Sequence, residues 1–517
     1  MNETGQGRTF FVSAIGNDAN TGLSENDPWK TINKLNKSLF LPGDSILLNG
    51  GDVFNGNLIL NNSDGSDSDQ ITISSYGTGQ AILQTLAGNG ITIYNRGGYK
   101  IKNIKLSGGY DSAKAQNTTD KISTGINIHN YNFKKRCSGI EISNCTICNF
   151  TISAISIGGD SDPAYGFSSV MIKNSTIYNC GNSGIYVWGL TRQDIKITGN
   201  IVYNIYGYVP HPNGFSGNGI ILSQVYNAVI ERNLVFNNGK YAQRSGGGIV
   251  TGESGNIIVR YNEIYGIKAN DIDGDAIDFD NGSDSCLAEY NYTHNNDGAS
   301  VLISGNNGSS GSDHNIIRYN ISKNDGLKNN CASIIIYSIG AKNNRIYNNT
   351  IISTSKGRNI PRCIGIYVLN TGTLISNNIF FSENSSLLVE VDNSKHIDLI
   401  FRGNSYYTNN RVFVINWGTT QFYSYEAFVK GSGQEISGII PVGMSVNPLM
   451  INPLTPMDTV NNAYMIDTLS AYKLRSNSPL IGQGINLDSL FFPPALDFYG
   501  TVIPTGLNTD IGAYEHK

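Results

Sequence analysis

From about residue 100 the chain repeats a short alternation of apolar and polar positions. A unit of the form apolar-x-apolar-x-x-Asn-x-apolar recurs with Asn at 174, 200, 233, 262, 291, 320, 348, 377 and 404, spaced by 26, 33, 29, 29, 29, 28, 29 and 27 residues. A fixed period of this size marks a solenoid, in which each repeat buries its apolar side against its neighbours. Each unit holds apolar runs of three to five residues bounded by Gly and Asn, and none holds a ten-residue helical pattern. That excludes helical and leucine-rich repeats. The pattern predicts an all-β chain, a right-handed parallel β-helix with one coil per repeat. The recurrent Asn is expected to form a hydrogen-bonded ladder inside one turn, satisfying polar groups that stacking removes from water.

A second strand aligns from coil to coil: AISIGG from Ala154, GIYVWG from Gly184, GIILSQ from Gly219, GIVTGE from Gly248, AIDFDN from Ala276, SVLISG from Ser300, SIIIYS from Ser333 and GIYVLN from Gly365. Side chains alternate across a strand. The second and fourth positions, such as Ile277/Phe279 and Val301/Ile303, are apolar and point inward. The third and fifth then point outward: Tyr186/Trp188, Ile221/Ser223, Val250/Gly252, Asp278/Asp280, Leu302/Ser304, Ile335/Tyr337 and Tyr367/Leu369.

Residues 9 to about 30 predict a strand and a Gly/Asn/Asp loop, followed by a short helix through Lys34 to Leu39 that caps one end. The repeat fades after about residue 405, and the tail is expected to cover the other end, since solenoid ends need caps. The expected organisation is one continuous domain: residues 1–100 as cap and first coils, 101–405 as the regular helix carrying the site, and 406–517 as last coils and capping tail.

Composition narrows the function. The 517 residues carry a net charge of −4, which points to neither a nucleic-acid nor an anionic-membrane partner. No apolar run is long enough for a membrane span. The polar start followed at once by a strand is what removal of a signal peptide would leave, so a secreted, periplasmic or cell-surface bacterial protein is expected. The chain is expected to be monomeric. Seven scattered Cys offer one CxxC (Cys145, Cys148) with no second pair at zinc spacing, and are expected to be buried free thiols.

Charged residues make up only 15% of the chain, yet Asn270 to Asp284 holds six Asp: Asp271, Asp273, Asp275, Asp278, Asp280 and Asp284. The strand alternation splits them. Asp271, Asp273 and Asp275 fall in a turn, where solvation or calcium binding is plausible. Asp271-x-Asp273-x-Asp275 opens like an EF-hand loop, but Ala276 and Gly282 replace its Gly and Glu. Asp278 and Asp280 fall on the outer face of a parallel sheet, with aromatics on the same face. At about 4.8 Å per coil, Trp188 is expected roughly 14 Å to one side and Tyr337 roughly 10 Å to the other.

Outward carboxylates flanked by rings fit a carbohydrate site: rings stack on sugar faces while two like charges split their protonation into one acid and one base. Residues two apart on a strand are about 6.5 Å apart at Cα, which leans toward the wider spacing of inverting glycosidases. Asp278 and Asp280 are the expected central carboxylates, assisted by Asp275 and Asp297. Trp188, Tyr186, Tyr337 and Tyr367 are candidate sugar platforms, or ordinary strand aromatics. Arg244 and Lys268 are candidate ligands for a substrate carboxylate, and His294 a candidate proton partner. The segments Tyr206 to Asn218 and Gly239 to Gly247 are expected to wall the cleft.

The opening FFVSAIGNDANTGLSENDPWKTI, the following LPGDSILLNGGDVFNG and the ending SNSPLIGQG…DIGAYEH resemble the secreted bacterial right-handed β-helix proteins that act on polysaccharides. Locally, GDAIDFD followed by NNDGASVLI is similar to polygalacturonase-type hydrolases. The resemblance matches Asp275 and Asp297 to family carboxylates, but Gly298 stands where the second Asp of a pair is expected. The segment is also similar to the calcium-dependent pectate lyases with a ten-coil helix, where Asp275 and Asp278 would match calcium ligands. There Gly274 replaces an Asp, and Leu302 fills the column of the base that a β-elimination needs. The expected function is a glycoside hydrolase whose reaction requires no cofactor, with calcium at the turn carboxylates as the alternative. The alternatives are a calcium-dependent polysaccharide lyase and a non-catalytic glycan-binding β-helix.

Overall fold

The computed structural model describes residues 7–111, 123–131, 135–159, 166–191, 194–207, 216–244, 246–305, 311–355, 357–384, 386–409, 412–455, 460–487 and 494–517. The chain forms two compact units, residues 1–233 with 237–246, and residues 234–236 with 247–517. Each is a parallel β-helix built from three sheets of short strands. Among the described residues no helix is long and apolar enough to cross a membrane.

In the first unit Thr9–Val12 pairs in parallel with Ser45–Asn49, and that sheet continues coil by coil to Ile195–Thr198. The short helix Ile32–Asn36 begins at Thr31, whose hydroxyl caps the Lys34 N–H at 3.1 Å and donates to Asp18 at 2.6 Å. Asp18 also accepts the Lys30 and Thr31 N–H groups. The GNDAN loop therefore supplies the fixing point for the helix start. Ile32 then seats beside Leu48, Leu58 and Ile73 at the end of the first coils, as a cap must.

In the second unit the sheet that carries the Asp pair runs through Ile249–Gly252, Ile277–Asp280, Val301–Gly305, Ala332–Ser338, Arg362–Tyr367, Leu387–Val391 and Ile415–Trp417, with every neighbour parallel. The register lines up Ile249, Ile277, Val301, Ile334, Ile364, Val389 and Ile415 in one column. All are fully buried. Period-2 alternation thus holds through the whole sheet, because a slip of one residue would expose this column to water.

The Asn ladder exists, displaced by one residue in places. In the second unit it runs Asn262, Asn291, Asn320, Asn349, Asn378, Asn404, each side chain accepting the backbone N–H of the preceding member at 2.9–3.1 Å. Asn348 and Asn377, expected as members, instead take left-handed backbone at φ 52° and 53°. Asn tolerates that conformation better than other non-glycine residues. Each of these turns needs a left-handed residue followed by the ladder amide, and an Asn-Asn pair supplies both. In the first unit the corresponding positions are Ser175, Asn200 and Asn233, so Asn174 is likewise the left-handed residue rather than the rung.

The tail departs from expectation. Helix Tyr425–Ser432 does close the last coils: its Phe428 is buried against the rings of Tyr406, Trp417 and Phe422. Beyond it the chain turns back along the side of the unit. Tyr290, Tyr292, Tyr319 and Tyr347 pack against Tyr472, Leu480, Phe498 and Ile511 in one core. Tyr290 donates to the Leu496 carbonyl at 2.8 Å. A column of tyrosines on one face would otherwise be exposed apolar area, and covering it is the role of the last seventy or so residues.

All seven Cys are free thiols; six are buried and Cys331 is partly so.

Candidate active site

Asp278 and Asp280 stand on the outer face of the strand Ile277–Asp280, as the alternation requires, with Ile277 and Phe279 fully buried beneath. Asp278 is nonetheless 8% exposed, so it lies at the base of a recess. Opposite it in register are Val250 on one side and Leu302 on the other. Asp280 faces Gly252 on the preceding coil. A side chain built at Gly252 would meet nothing within 4 Å, which leaves open room beside the Asp280 carboxylate. On the following coil the hydroxyl of Ser304 donates a short hydrogen bond to Asp280 Oδ1 and lies 3.5 Å from Asp278 Oδ1. Asn281 donates its backbone N–H and its side-chain amide to the two Asp280 oxygens, both at 2.8 Å. Ser304 and Asn281 were not picked out from the sequence. Ser304 does occupy the outward fifth position of its strand, one coil on from Asp280.

The environments of the two carboxyls differ. Burial, followed by the charges of Asp280 and Asp275, holds the Asp278 carboxyl well above the ordinary carboxylate range. Burial also raises Asp280, but the donors Ser304 and Asn281 work against it. Two interacting carboxyls titrate as a pair, and the one with donors aimed at its charge ionises first. Of the two, Asp280 is therefore the first to ionise and Asp278 the one that keeps its proton longer.

Asp275 is buried at the turn before the strand, and its Oδ1 accepts the Ala299 N–H at 2.5 Å. Burial and then the charge of Asp273 hold its carboxyl well above the ordinary range. It is coupled to Asp278 and does not face open space. Gly298 is required beside it, because a Cβ there would come 2.5 Å from Asp275 Oδ1. Asp297 stacks on the Gly274 turn, where the two coils approach so closely that a Cβ on Gly274 would lie 3.0 Å from that of Asp297. Asp297 is brought together with Lys268, whose Nζ lies 2.7 Å from its Oδ1. The two form an ion pair at the rim.

His294 is not at the site. It lies on a different sheet, pairing in register with Tyr265 and Lys323, and is 1% exposed. Its ring is stacked between Tyr265 and Tyr292, with Nε2 3.3 Å from Glu263 Oε1. The returning tail seals this corner: Glu263 accepts the Val460 and Asn462 N–H groups. A proton partner for substrate needs access, and the tail removes it.

Tyr337 continues the Asp280–Ser304 column and is 55% exposed. Tyr367 follows it in register, but its ring leans over Gly365 and its hydroxyl donates to Glu390 at 2.7 Å. Trp188, Tyr186 and Arg244 belong to the first unit. There Trp188 lies flat over Gly158 and gathers with His129, Tyr131 and Tyr186 in an aromatic group. Arg244 is exposed in that unit. The wall segment expected at Tyr206 to Asn218 falls largely outside the described residues. Asp284 is exposed beside His314 and takes no part in the site.

Among the described residues no group of three or more His, Cys, Asp or Glu side chains converges in a way that could hold a metal ion. Asp271 is exposed, Asp273 takes left-handed backbone at φ 72°, and Asp275 is turned inward to Ala299.

The family model described as "Right handed beta helix region" matches residues 89–264 and 133–323, just under half of the chain. The chain is a right-handed parallel β-helix. A lacto-N-biosidase of Bifidobacterium longum subsp. longum is 25% identical over 490 residues, covering 75% of this chain and 30% of the relative. The chain thus spans about 30% of the length of the curated relative it matches. Among solved structures, the GH136 lacto-N-biosidase from Eubacterium ramulus superposes with a TM-score of 0.52 at 19% identity, over 77% of this chain and 67% of that one. The complex of XylC with xylose superposes with a TM-score of 0.51 at 11% identity, over 98% of both chains. At these identities the structural likenesses bear on the fold.

Proposed function

We propose that the protein is a glycoside hydrolase, with Asp278 as proton donor and Asp280 as the ionised partner. The observation that carries this reading is the Asp278–Ser304–Asp280 arrangement. It sets two carboxyls on one sheet face, joins them through one hydroxyl, and biases them toward opposite protonation states beside the open space at Gly252. Glycoside cleavage needs such a pair: an acid to protonate the leaving oxygen and a carboxylate to stabilise or attack the sugar carbon. Burial, with coupling to Asp280 and Asp275, disfavours ionisation of Asp278, and the Asp297–Lys268 pair shapes the rim. Tyr337 offers a ring face to a bound sugar.

The three places beyond Asp278 in its column hold Leu302, Ile335 and Gly365, so the column supplies no lysine or arginine beside Asp278 to take the proton of a β-elimination. A polysaccharide or oligosaccharide substrate accords with a secreted or cell-surface location.

The relative named as a lacto-N-biosidase makes release of lacto-N-biose the first activity to assay. A panel of neutral and uronate glycans should then be incubated with and without chelator. New reducing ends, unaffected by chelator, are expected. Unsaturated products absorbing in the ultraviolet, or products lost on chelation, would replace this reading with a lyase. No product from any glycan would leave a binding protein.

A further inference from the structure

The sheet face that carries Asp278 does not end at the carboxylates. In register beyond Asp278 stand Leu302, Ile335, Gly365, Glu390 and Asn416. Glu390 is thus four strand spacings away, roughly 19 Å along the same face of the same unit. Here a cavity of about 390 Å³ opens, lined by Tyr367, Glu390, Asp392, Asn416, Thr420 and Gln421 among others. That lies within the range of ~300–1,000 Å³ typical of small-molecule sites.

The lining is built rather than incidental. Gly365 leaves room for the Tyr367 ring to lie down on the sheet, since a Cβ there would come 2.6 Å from the ring. The Tyr367 hydroxyl then reaches Glu390 Oε2 at 2.7 Å, and Arg362 Nε lies 2.6 Å from the same oxygen. Burial works against the charge of Glu390, but the partners Arg362 and Tyr367 outweigh it and keep the carboxyl below its ordinary range. Its other oxygen, Oε1, accepts a long 3.4 Å bond from Asn416 and keeps room for a further donor. Gln421 donates to Asn416 at 2.8 Å and orients that amide. Asp392 is saturated by the Val368 and Ser394 N–H groups, the Ser394 hydroxyl and His396, so it shapes the wall without offering an acceptor.

Among the described residues the lining has a tyrosine ring, an ionised acceptor and two amides, and no Lys or Arg. A hydroxyl-rich neutral ring matches this chemistry. A uronate would set its carboxylate against Glu390, and the Arg362 cation beside it is already paired with that glutamate. Between the cavity and the Asp pair stands exposed Tyr337, whose ring lies 6.3 Å from that of Tyr367.

We propose that the cavity over Tyr367, Glu390 and Asn416 is a remote neutral-sugar subsite, which would hold the far end of an extended glycan whose near end lies at Asp278 and Asp280. The glycan path rests on the hydrolase reading above; the cavity's preference for neutral sugars does not.

The test is binding by isothermal titration in the Asp278→Asn protein, where turnover does not intervene. The probes are neutral oligomers of four to six sugars (xylo-, cello-, galacto- and N-acetylglucosamine-containing series), their disaccharides, and oligogalacturonates of equal length. At least one neutral oligomer should bind. Asn416→Ala with Gln421→Ala should weaken it at least tenfold while leaving its disaccharide at the carboxylates unaffected. Gln421→Ala alone, at an exposed hairpin position, serves if the double variant unfolds, with a several-fold loss expected. Equal affinity in these variants, no binding by any neutral oligomer, or uronate binding that these substitutions abolish would each overturn the proposal. Binding lost in the variants, in a protein whose unsubstituted form releases no reducing ends, would sustain the subsite and remove the hydrolase reading. Hydrolysis with unaltered binding would do the reverse.

Discussion

Ser304 stands one coil beyond Asp280 and gives that carboxylate its hydroxyl hydrogen while lying 3.5 Å from Asp278. The two residues sit on adjacent strands that approach only because the coils stack in register. Ser304→Ala removes the donor that favours the ionised form of Asp280 and breaks the link between the two carboxyls. A fall in kcat of about 10- to 100-fold is expected, against about 10²- to 10⁴-fold for Asp278→Asn or Asp280→Asn. Thermal unfolding of Ser304→Ala should change little, because that side chain is only part-buried on the outer face. Steady-state kinetics on the released sugar checks the ordering; Ser304→Ala at wild-type kcat would remove the hydroxyl from the mechanism.

The alkaline side of the pH–activity profile should report the proton on Asp278. Its carboxyl is raised by burial, Asp280 and Asp275, and the acid form is lost as pH climbs through that raised value. Activity should therefore fall with rising pH. Asp275→Asn keeps an acceptor for the Ala299 N–H but removes a titratable carboxyl coupled to Asp278, so Asp278 ionises more easily. The alkaline limb should move to lower pH, read from kcat/KM across pH 4–9. A limb that stays in place would show that Asp275 does not tune the acid.

Gly252 is the open wall beside Asp280. Its backbone is not left-handed, so an L side chain fits there without strain, and a Cβ meets no neighbour. Gly252→Leu should fold with an unchanged Tm yet fill the space in which a sugar would sit. A loss of at least tenfold in kcat/KM, carried mainly by KM, is expected. Unimpaired kinetics would move the substrate to another side of Asp280.

The returning tail carries its own pH dependence. Burial, with Asp510 and Asp497 nearby, pushes the Glu515 carboxyl up to about 8. A carboxyl raised on folding prefers its protonated form in the native state. Its contribution is fully present below its ordinary value of 4.5 and is lost as pH rises through about 8. Glu515→Gln should match the wild type in Tm near pH 4.5 and exceed it near pH 9, by thermal denaturation at both pH values. A constant difference across that range would place the titration elsewhere.

Much of this was legible in the residues. The period of about 29 required a solenoid, because no shorter element buries such units singly. The alternation placed Ile277 and Phe279 inward and Asp278 and Asp280 outward, because a strand has a strict period of two. The ladder was legible as a motif but not to the residue: at Asn348–Asn349 and Asn377–Asn378 two identical neighbours compete, and only the left-handed φ of the first decides which becomes the rung.

Tertiary structure decided the partners. Ser304 meets Asp280 from 24 residues downstream, a register set by how the intervening loops fold. His294 looked like a proton partner because it follows the Asp stretch closely. It is instead enclosed through Glu263 by backbone 197 residues beyond that glutamate. Local periodicity determines which way a side chain points, since the strand itself enforces it. What that side chain meets is set by the stacking of coils and the return of the tail, which are free-energy minima of the whole chain.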